Sequence, residues 1–342
     1  MTRLTCSRLA LTVAAVAVGL THAGWWWLLD YGPPRLRDPE YGKRLAVCKA
    51  APPGRRLVAV FGSSRVAYGL RPGVVAEWAN MESGRPLVAN LALAGSGPVM
   101  ELMAFRRALA DGLRPAAVLV EYWPAFLRQD GPYREEARID LARLRPVDEG
   151  VVRDYFHAPD RTLLTLRRNR WFGVSAHRKP LLNQIAPRWL PVAARTDGTW
   201  DKIDATGWLP GHAAVEADTA AKAWAATEGY YRPLFDGYHV GADSDRALGQ
   251  LVAEARAAGV PVGLLVLPES AAFTRLMPPE VRAAAADHLT RMGATLGVPL
   301  IDARGWVADD ELPDGFHLTQ AGAAAVSRRL GPALVDAFPE VR

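Results

Sequence analysis

The stretch RLVAVFGSSRVAYG (residues 56–69) joins an apolar run to a helix-like region through a Gly-Ser-Ser turn. Residues 57–61 are all apolar, which is typical of a strand buried on both faces of a parallel sheet. A strand that ends in Gly-Ser-Ser and turns into a helix holds a serine at the edge of the sheet. The sequence therefore predicts a strand–turn–helix unit, and it raises the question of whether Ser63 or Ser64 is reactive.

The same alternation of apolar runs and helical patterns continues along the chain. A parallel sheet covered by helices is the arrangement that buries such strands. We therefore expect an α/β fold, a three-layer α/β/α sandwich with a five-stranded parallel sheet. The predicted strands are 56–61, 87–93, 116–123, 260–268 and 298–303, and the predicted helices are 73–83, 98–112, 245–259, 278–297 and 318–330.

The first thirty residues have the pattern of a membrane span. Residues 9–29 carry no charged side chain, and a helix of that length crosses a bilayer at about 1.5 Å per residue. Arg3 and Arg8 precede the run and favour an N-in orientation, while the tryptophans at 25–27 suit the far interface. We expect a transmembrane anchor with the body in the periplasm or the extracellular space. A signal peptide cleaved near Ala23 is the alternative.

The alternation stops between residues 126 and 241, and this break defines the domain organisation. The stretch is far longer than an ordinary connection and is interpreted as an inserted subdomain. It is either a mainly helical cap on the sheet or a surface whose arginines and tryptophans face a membrane or a polysaccharide. The predicted segments are an anchor (1–30), a linker rich in proline, glycine and charge (31–55), the first part of the α/β domain (56–125), the insertion (126–241) and the second part of the α/β domain (242–342).

Composition narrows the classes of partner. The chain has 342 residues and a formal net charge of +5, but no basic stripe with interleaved aromatic residues, so we do not expect it to bind nucleic acid. Cys6 and Cys48 can form neither a disulfide framework nor a zinc site. We expect no metal and no cofactor. Five histidines lack metal-ligand spacing and are interpreted as surface or packing residues: His157, His177, His212, His239 and His288.

A serine, an aspartate and a histidine lie where strands of an α/β sheet end, which is where such folds bind ligands. Ser64 follows the first strand, and Asp314 and His317 stand three residues apart before the last helix. A serine hydroxyl needs an imidazole to remove its proton, and the imidazole needs a carboxylate to fix its tautomer. The pattern predicts a Ser64–His317–Asp314 triad. Taken singly, Ser64 and Asp314 have a simpler interpretation as helix caps, the latter for a helix that begins near Thr319.

Three motifs together resemble those of the SGNH, or GDSL-type, hydrolase superfamily: FGSSR (61–65), NLALAGSG (90–97) and DGFHLTQAG (314–322). The resemblance covers residues 56–123 and 242–330. It implies an SGNH or flavodoxin-like fold and a serine nucleophile after the first strand.

The resemblance also assigns roles to residues of this chain. It implies that Ser64 is the nucleophile, His317 the general base and Asp314 the carboxylate that orients it. The backbone amides of Ser64 and Gly95 would form part of the oxyanion hole, with Gly97 as the less favoured glycine.

Two positions depart from the pattern of the superfamily. Ser63 stands where the family has an aspartate, a change that the resemblance associates with membrane-anchored members that modify cell-surface polymers. The third strand ends in VEYWP (120–124), so the asparagine that the family uses as an oxyanion donor is absent. Loss of one such donor typically lowers turnover by about 10²- to 10³-fold. Tyr122, Trp123 or the insertion are the candidates for a replacement donor.

Polar residues just after the strands are candidate substrate contacts. Glu121 closes a buried strand and needs a cationic partner, so an ion pair with Arg65 or Arg106 is an equal alternative, and Glu269 has the same standing. The candidate substrate-binding residues are Arg65, Asn90, Glu121, Tyr122 and Glu269.

The resemblance implies an ester hydrolase or O-acyltransferase that forms an acyl-enzyme at Ser64. The anchor favours a cell-surface polysaccharide or other polymer as acceptor and a membrane-bound acyltransferase as partner, as in proteins of alginate O-acetylation and teichoic acid D-alanylation. Ser63 and the absent asparagine keep a second hypothesis open, namely an SGNH-fold protein of polysaccharide modification that binds or assembles but does not turn over.

Overall fold

Five parallel strands form one sheet in a computed structural model that describes residues 3–52, 54–79, 85–195, 199–211, 213 and 215–339. The strand order is β2-β1-β3-β4-β5. The side chains of β1, β3 and β4 are buried at every position, as their continuous apolar runs predicted. The α/β class and the five-stranded parallel sheet are thus confirmed. The strands are β1 (Leu57–Phe61), β2 (Leu87–Asn90), β3 (Ala117–Glu121), β4 (Val262–Val266) and β5 (Leu300–Asp302).

Helices connect the strands and account for most of the rest of the described chain. The α-helices are α1 (Arg3–Tyr31), α2 (Pro39–Ala50), α3 (Ser64–Gly69), α4 (Pro72–Trp78), α5 (Pro98–Ala110), α6 (Glu149–Tyr155), α7 (Pro159–Trp171), α8 (Gly173–Ala176), α9 (Arg178–Ile185), α10 (Ala217–Phe235), α11 (Ala242–Ala257), α12 (Ala271–Leu276), α13 (Pro279–Leu296) and α14 (Gln320–Ala337). Short 3-10 turns lie between several of them, mainly between residues 124 and 202.

The strand order fixes where a ligand site is expected. The chain runs from β1 to β2 on one side and then crosses to β3 on the other side of β1. Neighbouring loops therefore diverge at the carboxyl ends of β1 and β3, and doubly wound sheets bind ligands at such a switch point. Ser64 follows β1 after the two residues Gly62 and Ser63, and Trp123 follows β3.

The predicted elements agree with the observed ones except near their ends. The strand predicted at 87–93 ends at Asn90, whose side chain turns towards the backbone of α3 and of its C-cap, Leu70. Its amide donates hydrogen bonds to Val66 O at 2.9 Å and to Leu70 O at 3.1 Å. Part of the helix predicted at 73–83 lies outside the described residues, and α4 is observed from Pro72 to Trp78.

The chain divides into two compact units. The sheet unit comprises Lys43–Ile139 and Thr199–Arg342 and holds all five strands, whereas the N-terminal unit comprises Met1–Gly42 and Asp140–Gly198. The segment predicted as one insertion, 126–241, therefore contributes residues to both units. The predicted segment boundaries stay a prediction from sequence.

The sheet unit has an apolar core on the sheet and an aromatic cluster beyond the strand ends. The core joins β1, β3 and β4 to α3, α4 and α14. The aromatic cluster includes Trp123 and Phe316, whose rings stack with centroids 5.2 Å apart. Its other aromatic members are Phe126, Tyr231, Phe235 and Phe273.

The segment predicted as a linker contains a helix, α2. Tyr41 and Leu45 on α2 are buried, at 0% and 3% exposure, and Cys48 continues their helical spacing. The Asp38 carboxylate accepts a hydrogen bond from Tyr41 N at 3.1 Å at the beginning of the helix. The prolines and glycines of this segment indicated a linker, yet the apolar period was already present in the sequence.

The N-terminal helix confirms the expected apolar segment. Ser7–Tyr31 within α1 has a mean hydropathy of 1.4, and the stretch is long and apolar enough to cross a membrane. Signal sequences share these properties.

Candidate active site

The turn after β1 exposes one serine and buries the other. Ser63 is 0% exposed, and its hydroxyl accepts a hydrogen bond from Arg65 N at 3.2 Å as the N-cap of α3. Ser64 is the first residue of α3 and is partly exposed. The helix-cap role considered for Ser64 therefore belongs to Ser63.

The loop before α14 holds Asp314 and His317 in one turn. The Asp314 carboxylate accepts hydrogen bonds from Phe316 N at 3.2 Å and His317 N at 2.8 Å. Thr319, rather than Asp314, is the N-cap of α14. The Glu311 carboxylate supports this cap, because it accepts a hydrogen bond from Gly322 N at 2.9 Å.

Ser64, His317 and Asp314 form a continuous hydrogen-bonded chain. Ser64 Oγ lies 2.7 Å from His317 Nε2, and His317 Nδ1 lies 2.7 Å from Asp314 Oδ2. An ionised aspartate can only accept, so its partner Nδ1 carries the proton and Nε2 is free to accept the Ser64 hydroxyl proton. This is the arrangement that activates a serine nucleophile.

The environment of Asp314 keeps it ionised. Burial by itself would raise the pKa of Asp314, but the hydrogen bond from His317, the charge of that ring and two backbone amides outweigh burial and hold the pKa below its ordinary value. The side chains of His317 and Asp314 are 19% and 15% exposed. Both therefore stay in contact with solvent while they are bonded to each other.

Glu121 and Arg65 fix the backbone that carries Ser64. Glu121 Oε2 accepts a hydrogen bond from Ser63 N at 2.7 Å, and its other oxygen lies 3.3 Å from Arg65 Nη1. A Cβ at Gly62 would come within 2.8 Å of the Glu121 carboxylate, so only glycine permits this close approach. The carboxylate that ends β3 thus holds the turn that follows β1.

A second carboxylate completes the environment of Arg65. Arg65 Nη2 donates to Leu267 O and Pro268 O at 2.8 and 2.9 Å, and Arg65 Nη1 lies 3.8 Å from Glu269 Oε1. The pKa of Glu269 lies above its ordinary value, because burial outweighs the opposing effects of Arg65 and of a hydrogen bond from Trp123. Arg65 also lies over the Trp123 ring at 4.7 Å. Arg65 therefore joins the ends of β1, β3 and β4.

The residues predicted as substrate contacts all have partners within the protein. Of the two partners predicted for Glu121, Arg65 is the one that it contacts. Arg106, the other, pairs with Glu254. Asn90 bonds to the backbone of α3 and of its C-cap. Glu269 is the most accessible of the set, with a side chain 10% exposed. Arg65, Asn90, Glu121 and Glu269 hold the strand ends and α3 around the site, whereas Tyr122 bonds to α13. A contact of any of the five with substrate stays a prediction.

Tyr122 and Trp123, considered as replacement oxyanion donors, donate elsewhere. The Tyr122 hydroxyl donates to Ala285 O at 2.9 Å and lies 2.8 Å from His288 Nδ1. Trp123 Nε1 donates to Glu269 Oε1 at 2.6 Å. Of the donors considered from the sequence, backbone amides and side chains of the insertion therefore remain for an oxyanion.

The loop after β2 distinguishes Gly95 from Gly97. Gly97 N donates to the buried Glu135 carboxylate at 3.0 Å, whereas the amides of Ser64 and Gly95 donate to no acceptor in the part of the chain that the structure describes. Gly95 has a φ of +81°, a left-handed conformation that glycine adopts without strain. Its carbonyl accepts a hydrogen bond from Arg138 Nε at 2.8 Å. The geometry favours Gly95 over Gly97 as the oxyanion glycine.

Glu135 and Arg138 are site-supporting residues that the sequence did not reveal. Glu135 accepts from the amides of Gly97, Val99 and Met100 at the beginning of α5, and burial raises its pKa. Both residues act across more than thirty positions of sequence, and their neighbours carry no recognisable motif.

An open cavity of about 420 Å³ adjoins His317. The Tyr68 ring meets the His317 ring edge-on with centroids 5.3 Å apart. Lys202 and Leu209, from the segment that follows position 199, line the same cavity. Its lining is Tyr68, Lys202, Leu209, Pro210, Gly211, His317 and Leu318.

The histidine of α13 bonds to residues outside the triad. His288 is buried between Tyr122 and Asp245, and His212 lies outside the described residues. No group of three or more His, Cys, Asp or Glu side chains within the described residues is placed to hold a metal ion.

Neither a family model nor a curated protein matches the chain.

Proposed function

We propose that this chain is a membrane-anchored, SGNH-type serine esterase or O-acyltransferase with a three-layer α/β/α, flavodoxin-like fold. The observation that carries the proposal is the hydrogen-bonded chain from Ser64 Oγ to His317 Nε2 and from His317 Nδ1 to Asp314 Oδ2, both at 2.7 Å. Its position at the switch point between β1 and β3 supports the assignment, because this is where doubly wound sheets bind ligands.

The first half-reaction would transfer an acyl group to Ser64. His317 Nε2 takes the hydroxyl proton as Ser64 Oγ attacks the ester carbonyl carbon, and the carbonyl oxygen becomes an oxyanion. The amides of Ser64 and Gly95 are the proposed donors to that oxyanion. When the tetrahedral intermediate collapses, the leaving alcohol takes the proton from His317 and Ser64 keeps the acyl group.

The second half-reaction would release the acyl group to an acceptor. Water or a sugar hydroxyl gives its proton to His317 Nε2 and attacks the acyl carbon, and Ser64 leaves with that proton. The acceptor decides whether the protein is a hydrolase or a transferase. The cavity beside His317 is the route by which we propose that the acceptor enters.

We place the active site outside the cytoplasm, with α1 as an N-in anchor. Support comes from the length and apolarity of α1 and from the arginines that precede the apolar run. An anchored enzyme favours a cell-surface polysaccharide or other polymer as acceptor, with a membrane-bound acyltransferase as a partner that supplies acyl groups.

Hydrolysis of an aryl acetate by the full chain in detergent tests the reaction. We expect release of the aryl alcohol with a rapid first turnover, because an acyl-enzyme forms before it is hydrolysed. Added polysaccharide that accepts acyl groups should accelerate release and become acetylated. If the full chain releases no aryl alcohol above the His317→Ala variant, the proposed activity is wrong.

The hydrogen bonds of Tyr122 and Trp123, which follow β3, favour a second candidate function. Because Tyr122 and Trp123 donate elsewhere, backbone amides are the only donors that we assign to the proposed oxyanion hole. The alternative is therefore a catalytically impaired binding or assembly protein of polysaccharide modification. It predicts polysaccharide binding that persists in Ser64→Ala without any aryl acetate hydrolysis by the parent chain.

A further inference from the structure

Large apolar side chains are exposed in one segment of the N-terminal unit. Trp189 is 72% exposed and Val192 is 77% exposed. Exposed apolar groups of this size are unfavourable in water and mark contact surfaces when they cluster. The exposed apolar residues of this segment are Leu164, Trp171, Phe172, Ile185, Trp189 and Val192.

Helix α7 separates a buried face from a mixed apolar and cationic face. Leu163 and Leu166 are buried, while Arg161, Leu164, Arg168 and Trp171 follow one another at helical spacing on the other side. The latter four, together with Thr165 and Arg167, line an open groove of about 560 Å³. We call this surface the α7 face.

The arginines of the α7 face have no counter-charge among the residues that the structure describes. Arg161, Arg167 and Arg168 are exposed, and none of them forms a salt bridge with another residue of the described ranges. Arginines beside exposed leucine and tryptophan are typical of helices at a membrane interface, where apolar groups enter the acyl region and cations meet lipid phosphates.

The end of α7 is fixed to the end of the apolar helix α1. Asp30 is 3% exposed and accepts from Trp26 Nε1 at 2.8 Å, and Arg170 Nε lies 2.8 Å from the same carboxylate oxygen. Arg37 pairs with the other oxygen. This contact holds α7 against the last turns of the predicted span.

A crevice runs between the two helices. It has a volume of about 820 Å³ and a mostly apolar lining. From α1 it takes positions between Ala15 and Trp26, and from α7 it takes Arg167, Arg170 and Trp171. The apolar wall that α1 contributes suits the acyl chain of a phospholipid. The arginines that α7 contributes suit its phosphate.

We propose that the α7 face and this crevice bind anionic phospholipid. The lipid belongs to the membrane leaflet that surrounds the C-terminal turns of α1. Acyl chains lie against α1, the phosphates meet Arg161, Arg167 and Arg168, and the exposed apolar residues from Leu164 to Val192 enter the interface. The proposal rests on α1 lying in a bilayer, but it requires no activity of Ser64. The N-terminal unit thus rests on the membrane in addition to being anchored in it.

Depth-dependent quenching of tryptophan fluorescence tests the contact with the bilayer. The full chain is reconstituted in vesicles that contain phosphatidylglycerol and a phosphatidylcholine brominated near the head group. Replacing Trp171 and Trp189 by Phe should lower the quenched fraction, because two quenched rings are removed. Replacing Trp78, which is half exposed on α4 of the sheet unit, should leave the quenched fraction equal or slightly higher. Equal behaviour of the two variants would overturn the proposal.

Native mass spectrometry of the full chain with added phosphatidylglycerol or phosphatidylcholine tests the head-group preference. Arg161→Gln, Arg167→Gln and Arg168→Gln are expected to weaken phosphatidylglycerol binding roughly fivefold per arginine. Arg153→Gln, an exposed site on α6 of the same unit, should have no such effect, and Arg167→Lys should retain binding. Unchanged binding in the triple variant, or an equal loss for phosphatidylcholine, contradicts the proposal. Labelling of Ser64 by a phosphonate reports separately on the proposed enzyme.

Discussion

At the scale of single residues, the two adjacent serines have opposite roles. Ser63 is fully buried and caps α3, whereas Ser64 is partly exposed and bonded to His317. A replacement of each by alanine separates a structural hydroxyl from a reactive one.

We expect Ser64→Ala to abolish aryl acetate hydrolysis with little change in stability. Ser63→Ala should lower the free energy of unfolding by about 1 kcal/mol, because an N-cap is lost, and should keep most of the activity. Kinetics and denaturant unfolding of both variants check this prediction. Equal activity in the two variants would place the nucleophile elsewhere.

The lowered pKa of Asp314 predicts a pH dependence of stability. Because the folded pKa lies below the ordinary value, the contribution of Asp314 to stability is fully present above about pH 4 and is lost as the pH falls through the folded pKa. The free energy of unfolding of Asp314→Asn should therefore differ most from the parent near neutral pH and converge with it in acid. Unfolding curves between pH 2 and pH 7 measure the convergence. This range includes the ordinary aspartate pKa of about 3.9. A constant difference across this range would contradict the assignment.

At the scale of elements, the site depends on contacts between strand ends. Glu121 at the end of β3 holds the turn after β1, and Arg65 on α3 reaches the end of β4. These contacts set the position of the Ser64 backbone before any substrate arrives.

Glu121→Gln should lower the free energy of unfolding by about 3 kcal/mol, since it removes the nearer of the two carboxylates beside the buried Arg65 guanidinium. Glu254→Gln is the matched control. It breaks a partly exposed pair with Arg106 and should cost less than about 1 kcal/mol. Denaturant unfolding of the two variants measures the difference, and similar losses would show that the Glu121 pair is not the support described.

Gly95→Ala tests the loop after β2. Gly95 and Gly112 both have positive φ, so alanine at either site should cost roughly 1 to 2 kcal/mol of stability. Only Gly95→Ala should also lower aryl acetate turnover, by up to about 10²-fold, because strain at the positive φ moves the Gly95 amide away from the oxyanion. An equal effect of the two variants on turnover would remove Gly95 from the proposed oxyanion hole.

Local patterns explain which elements were predictable. Continuous apolar runs identified all five strands, and the DGFH motif placed Asp314 and His317 in one turn, because both signals depend on neighbouring residues. Helix α2 was missed because its prolines and glycines outweighed its apolar period. The contacts of Glu135 and Arg138 with the loop after β2 are long-range and depend on the tertiary fold. A local sequence pattern therefore does not predict them.

At the scale of the whole molecule, the chain combines an α/β unit that holds the candidate site with a unit that contains the apolar helix α1. The proposed anchor predicts that the C-terminus lies outside the cytoplasm. A C-terminal reporter that is active only after export should be active in the parent chain. Arg3→Glu with Arg8→Glu should reduce its activity, because the positive charges before the span are lost, whereas Arg114→Glu in the sheet unit should not.

The most direct test of the proposed enzyme is mass spectrometry of the full chain after reaction with a serine-reactive phosphonate. We expect one covalent adduct, assigned to Ser64 by fragmentation, which is absent from the His317→Ala variant because the hydroxyl is then not activated. An adduct on Ser63, or no adduct on the folded parent chain, would contradict a nucleophilic Ser64.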